Sequence, residues 1–373
     1  MTNRAWRPVL DGSLAARARA TVAEIAAELD RRDLPTASLA DGLAGIALFH
    51  GYRARAGEAA DDDATFRTLE RALAQIAELS SPWLFTGYAG IGFAIQHLAD
   101  VVGDTAETLA QLDDLVVQTL RAEPWAYEWE LMCGAIGLGV YGLERGDHAI
   151  VARVVDILEA RAEPMAVGRA WRAFDDQDDR VGHFNLGMAH GVAGVVGFLA
   201  EACTVAPRGA PLLRAAVDWL RTNERVGHAR AYPGFAAPRV ASRATDGWCY
   251  GDQPTALALM RAGRALGDVA LVDAAAGIAR RAARRTGDEL ATLYITTALC
   301  HGSIGQALLF HRLGETLDDD DVRACARAWY ARALDELASV TEAGLQGGLA
   351  GVGLGLIAGY SVVEPTWMRM LLC

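Results

Sequence analysis

The chain lacks an excess of positive charge. Its 35 Lys and Arg residues are outnumbered by 47 Asp and Glu, for a formal net charge of -12. Phosphate backbones are bound by clustered basic side chains, so no nucleic-acid partner is expected. The chain also lacks a disulfide framework. Cys133, Cys203, Cys249, Cys300, Cys325 and Cys373 are scattered without framework spacing. The opening residues MTNRAWRPVLDGS hold no long apolar core, so a secretory signal is not expected. These absences predict reduced thiols in a cytoplasmic protein. Strand-like alternation is missing too, although a 52% hydrophobic content supplies ample material for a core. One uncharged run, Leu345 to Val363, is about long enough to span a bilayer. Its glycine pattern recurs in segments that are plainly not spans. It is therefore read as a helix buried in a soluble core, and no membrane span is expected.

What is present is a repeat. A glycine followed three residues later by another opens an apolar run at Gly42-Gly45, Gly87-Gly90, Gly134-Gly137, Gly191-Gly194, Gly302-Gly305 and Gly348-Gly351. A degenerate copy, Gly251-Asp252-Gln253-Pro254, falls between the fourth and the last two. Between these runs lie amphipathic segments, among them Leu14 to Arg31, Glu107 to Ala122 and His148 to Arg161. Leu109, Leu112, Val116 and Leu120 fall at helical spacing. Each unit reads as one amphipathic helix followed by one apolar helix. The apolar helices need burial on nearly every side and the amphipathic ones on a single stripe. The expected fold is therefore all-α: an α/α toroid, a double ring of seven inner and seven outer helices, over residues 1–373 as a single domain. An open solenoid of helix pairs is the structural alternative, but its end repeats should be atypical, whereas the first and last motifs here are regular. The two widest intervals carry extra loop, Met165 to Gly187 and Glu224 to Gly247. These are read either as walls of a substrate groove or as plain surface loops.

The chemistry-bearing residues share the repeat's register. Cys249 stands two residues before Gly251, within Trp248-Cys249-Tyr250-Gly251. Cys300-His301 precedes Gly302, and His190 precedes Gly191. In a closed ring they face one central space. Two thiolates and one imidazole suit a zinc ion with a fourth position open. The alternative is that the two cysteines are small buried core residues. Cys133 also precedes a motif glycine and is read as a packing residue. His50, His97 and His311 lie near the ends of inner runs and are read as capped or partly exposed.

Trp248-Cys249-Tyr250-Gly251, Cys300-His301-Gly302 and Asn185-Leu186-Gly187-Met188-Ala189-His190-Gly191 resemble the signature motifs of the lanthionine synthetase C-like family, and with the glycine motifs the resemblance spans essentially the whole chain. It implies a stand-alone lanthionine cyclase of the class I type, with zinc held by Cys249, Cys300 and His301, and with His190 and Tyr250 in the active site. Glu130 stands four residues before Gly134, where the family usually has aspartate. Thr245 stands where the family often has arginine, with Arg243 two residues away, a departure that bears on how an enolate is stabilised. The implied reaction is a Michael-type addition of a precursor-peptide cysteine to dehydroalanine or dehydrobutyrine. The implied partners are a dehydrated precursor peptide, with a lantibiotic dehydratase and an export transporter as further candidates. Two rivals share the zinc: a non-catalytic peptide- or thiol-binding protein, and a prenyltransferase-like α/α barrel, whose metal set uses an aspartate with cysteine and histidine.

Overall fold

The computed structural model describes residues 5–32, 34, 36–58, 63–79, 81–172, 183–236, 246–285 and 297–373. The chain divides into two compact units, Met1–Asp113 with Tyr294–Met368, and Asp114–Leu293 with Arg369–Cys373. The first unit holds α1 (Gly12–Arg31), α2 (Leu43–Arg55), α3 (Asp63–Ala74), α4 (Tyr88–His97) and the single turn α5 (Ala99–Val102). The division falls within α6 (Ala106–Leu120). The second unit holds α7 (Ala135–Arg145), α8 (His148–Arg161), α9 (Val192–Ala202), α10 (Ala210–Thr222), α11 (Asp252–Ala265) and α12 (Val269–Ala283). The first unit is completed by α13 (Ser303–Leu317), α14 (Asp320–Glu336) and α15 (Leu349–Tyr360).

The helices alternate in character as the repeat predicts. Among the described residues, seven follow a glycine motif: α2, α4, α7, α9, α11, α13 and α15. Every residue of α15 is buried, and so is all of α9 except Glu201. The seven interleaved helices bury one stripe. On α1 that stripe is Ala18, Thr21, Val22, Ile25, Ala26 and Leu29, at steps of one, three or four residues. At about 1.5 Å per residue α15 is about 18 Å long, well short of a hydrocarbon core of about 30 Å. Among the described residues no helix is long and apolar enough to cross a membrane.

The two kinds of helix start differently. The amphipathic helices α8, α12 and α14 begin at Asp147, Asp268 and Asp319, whose carboxylates accept from first-turn amides. The glycine-led helices have no side-chain cap. Their preceding loop folds back over the first turn, and the first amides donate to carbonyls seven residues earlier: Leu43 to Thr36, Tyr88 to Ser81, Ala135 to Glu128, Ile304 to Thr297 and Leu349 to Glu342. Those bonds satisfy donors that no intrahelical carbonyl reaches. The fold-back also explains the second motif glycine. A Cβ on Gly45, Gly90, Gly194, Gly305 or Gly351 would collide with the carbonyl oxygen six residues before it.

Within the first unit the fold-back loops are joined in a row. Ala40 N donates to Phe85 O at 2.9 Å, Leu345 N to Ala40 O at 2.7 Å, and Cys300 N to Gln346 O at 3.1 Å. The seventh loop is therefore bonded to the first, and α15 packs against both α1 and α2. In an open solenoid the end repeats stand farthest apart, so this contact excludes that alternative. Within the second unit α9 packs against α7 on one side and α11 on the other. The wide intervals hold two small antiparallel sheets, β1 (Glu163–Pro164) with β2 (Arg169–Ala170), and β3 (Phe184–Asn185) with β4 (Phe235–Ala236). Strands of two residues are too short for alternation to be legible in sequence.

Candidate functional site

The fold-back loops carry the residues singled out by their register. In the second unit, Leu131 N donates to Ala189 O at 3.3 Å and Met188 N to Cys249 O at 2.8 Å, which brings the third, fourth and fifth loops together. Glu130 is buried beneath them. Its carboxylate accepts from the amides of Met132 at 2.8 Å and Cys133 at 2.5 Å, and one oxygen lies 2.9 Å from His190 Nδ1. The His190 side chain is 49% exposed whereas that of Glu130 is only 6% exposed. The carboxylate is thus a sealed orienting group and the imidazole the part that meets solvent. A carboxylate on Nδ1 favours the proton on that nitrogen and fixes the plane of the ring.

Tyr250 is fixed from the fourth repeat. Asn185 Nδ2 donates to the Tyr250 hydroxyl at 2.8 Å, while Asn185 Oδ1 accepts from Gly187 N at 2.8 Å. A Cβ on Gly187 would strike both Cys249 O and the Tyr250 ring, so this glycine is what lets the two loops approach. Trp248 anchors the same loop from below, its indole Nε1 donating to Leu371 O at 2.8 Å.

A buried ionic cluster brackets the Trp-Cys-Tyr-Gly segment. Arg285 donates to Asp246 at 2.8 Å and is paired with Asp252, while Arg230 donates to Asp246 at 2.7 Å. Asp252 also accepts from the amides of Ala231 and Tyr232. Burial pushes the Asp252 carboxyl above its usual range, against the pull of Arg285 and the two amides. With Asp246 and Asp252 both tied to Arg285, the loop between them has little freedom. Gly251, inside that span, has a φ of +118°, which L side chains rarely adopt.

Cys249 is buried, and Cys300 and His301 are half-buried. Cys300 Sγ lies 3.8 Å from His301 Nε2. The ligand atoms of Cys249, Cys300 and His301 lie within 4.8 Å of one another. Zinc–sulfur bonds of about 2.3 Å and zinc–nitrogen bonds of about 2.0 Å at tetrahedral angles place neighbouring ligand atoms roughly 3.5–3.8 Å apart. Two thiolates and an imidazole are a donor set that could hold a metal ion of that size. Among the described residues no aspartate belongs to the cluster, unlike the metal set of the prenyltransferase-like alternative.

Other expected residues fall elsewhere. Cys133 is exposed rather than packed, because it sits on the outer turn of the Glu130 loop. Desolvation, with Glu130 and Glu128 nearby, pushes its thiol up to about 11, so it stays protonated near neutrality. His50, His97 and His311 are buried rather than partly exposed. His97 meets the Tyr52 hydroxyl at 2.9 Å, and His311 donates from Nε2 to Arg7 O at 2.7 Å. His97, the last residue of α4, and His311, inside α13, thereby tie those helices to neighbouring segments. Thr245 and Arg243 lie outside the described residues.

The profile of the lanthionine synthetase C-like proteins matches residues 35–372. The chain belongs to the lanthionine synthetase C-like family. Among solved structures, nisin cyclase superposes with a TM-score of 0.77 at 19% identity, over 97% of this chain and 98% of that one. At that identity the likeness carries the fold, an all-α toroid. No curated protein matches the sequence.

For a lanthionine synthetase C-like protein, sequence reasoning missed three contributions. Asn185 opens a quoted motif, and its place there was the available signal. Asp246 and Asp252 flank the Trp-Cys-Tyr-Gly segment, and a charged residue directly after a motif glycine, where the other six copies have an uncharged one, was a visible oddity. Arg230 and Arg285 carried no signal, since only folding brings them to those carboxylates.

Proposed function

We propose that the protein is a zinc-dependent lanthionine cyclase acting on a dehydrated precursor peptide. The observation that carries this reading is the convergence of Cys249, Cys300 and His301. When bound, zinc supplies a lowered thiol pKa for a substrate cysteine and so a thiolate near neutral pH. Addition forms a bond from sulfur to the β-carbon of dehydroalanine or dehydrobutyrine. The alkene's π electrons move toward the carbonyl oxygen as an enolate, and the α-carbon then takes a proton.

The chain's own residues complete the step. His190 delivers the proton from Nε2 and recovers one from solvent, while Glu130 holds Nδ1. Tyr250, whose hydroxyl accepts from Asn185, donates its proton to the enolate oxygen. The reaction belongs in the cytoplasm, downstream of a lantibiotic dehydratase and upstream of an export transporter. The test is incubation of the zinc-loaded protein with a dehydrated, cysteine-containing peptide and no prenyl donor, followed by a count of free thiols. Loss of thiols at constant peptide mass is expected. Full retention of thiols would replace the cyclase with a zinc-containing peptide binder.

A further inference from the structure

Beside Tyr250, against the β3–β4 sheet, lies a groove of about 430 Å³ that the chemistry above does not use. Its walls are Met165, Phe184, Trp219, Pro233, Phe235 and Ala236, and Arg225 stands at its edge. Phe184, Phe235 and Ala236 are only half-buried, so apolar surface faces the opening. The volume falls within the range of ligand-binding clefts, and a mainly apolar lining with one or two polar groups is their usual make-up.

Ring and ionic contacts back the groove. The Phe184 ring meets the Trp219 ring edge-on at 5.4 Å, and the Arg172 guanidinium covers it at 4.7 Å while paired with Glu163 at 2.9 Å. It is also continuous with the candidate site. Asn185, next to Phe184 on β3, holds the Tyr250 hydroxyl at 2.8 Å, and the Phe235 ring on β4 lies 6.0 Å from the Tyr250 ring. The same two strands therefore wall the groove and support Tyr250.

We propose that this groove is a specificity subsite that seats one bulky aliphatic or aromatic side chain of the substrate peptide. The proposal rests on the peptide-modifying reading above. A side chain seated against Phe184 and Phe235 sets the register in which the flanking residues pass Tyr250, and so biases which dehydrated residue is presented. Arg225 makes a basic neighbour in that peptide unfavourable and an acidic one acceptable. An apolar cleft gains affinity from area removed from water.

The test uses the zinc-loaded full chain and two variants that fill or charge the groove without touching Tyr250, Ala236→Trp and Met165→Arg. Substrates are one dehydrated peptide and a set in which each bulky apolar residue is replaced singly by Ser. One replacement is expected to raise KM by roughly 10- to 100-fold with kcat nearly unchanged. Each variant should raise KM for the parent peptide similarly and abolish the difference between parent and that Ser peptide. Circular dichroism and zinc content must match the wild type, and two variants guard against one failing to fold. Unchanged KM in both folded variants, or a fall in kcat with KM unchanged, would overturn the subsite. If the wild type closes no rings, the cyclase reading fails on its own. Calorimetric titration with the same peptides then still decides the groove, since binding must weaken in Ala236→Trp for the proposal to stand.

Discussion

A histidine with a sealed carboxylate on one ring nitrogen has the other to offer to chemistry. Glu130 holds Nδ1 of His190, and the proposed reaction uses Nε2. His190→Asn keeps a polar group of similar reach but cannot shuttle a proton. It is expected to leave fold and zinc content intact while lowering kcat by about 100-fold or more, as read by thiol loss over time. A variant closing rings at the wild-type rate would move the acid elsewhere. The metal site makes a separate prediction. Cys249→Ala with Cys300→Ala should purify without stoichiometric zinc, whereas Cys133→Ala should keep it, because the Cys133 thiol is held protonated and away from the cluster. Elemental analysis decides, and full zinc in the double variant would refute the ligand set. These residues were legible in the sequence because each stands one, two or four places before a motif glycine. Asn185, Arg230 and Arg285 were harder to read, because their roles depend on partners 16 to 65 residues away.

At the scale of the element, the glycine motif marks a helix start that side chains cannot make. A loop lying flat on the first turn leaves no room for a Cβ, and its carbonyls replace the cap. Contacts along the body of a helix depend on different groups. On α13, His311 is wholly buried and donates to Arg7 O, with the Tyr330 hydroxyl 3.3 Å from its other nitrogen. Burial lowers its pKa from the usual 6.5 to about 3. The folded state thus holds it neutral while the unfolded chain protonates it below about 6.5. Its contribution to stability is full above that pH and is lost progressively as the pH falls toward 3, by about 1.4 kcal/mol per pH unit. His311→Gln should therefore be less stable than wild type at pH 7, with the gap in urea-unfolding free energy narrowing steadily on acidification. A gap independent of pH would show that the imidazole is not held neutral.

At the scale of the molecule, all 35 basic residues are arginine; the chain has no lysine. The guanidinium's several donors are used to brace one helix against another's end. Arg55 donates to His97 O at 2.6 Å, Arg153 to Leu120 O at 2.9 Å and Arg17 to Leu334 O at 2.9 Å. An ammonium on a flexible stem does not match that fork geometry. The family profile runs through both compact units without a break, from residue 35 to 372. We therefore expect the chain to behave as a single domain, with one calorimetric transition whose van't Hoff and calorimetric enthalpies agree. Two resolved transitions would contradict that.

The sequence by itself determined the alternation of helix types, their approximate bounds and the register shared by the candidate ligand and acid-base residues. These are local properties, written in periodicity and in the distance of each residue from a glycine. His148 to Arg161 was read with the bounds that α8 has, and Leu14 to Arg31 within two residues of α1. Tertiary structure decided what depends on meeting a distant partner. It joined the seventh loop to the first, set Asn185 on Tyr250, tied Asp246 and Asp252 through Arg285, and shaped the groove against β3 and β4. The physical reason is that hydrogen bonds and ion pairs between remote residues leave no periodic trace in a chain. They arise only once hydrophobic burial has brought the helices that carry them into contact.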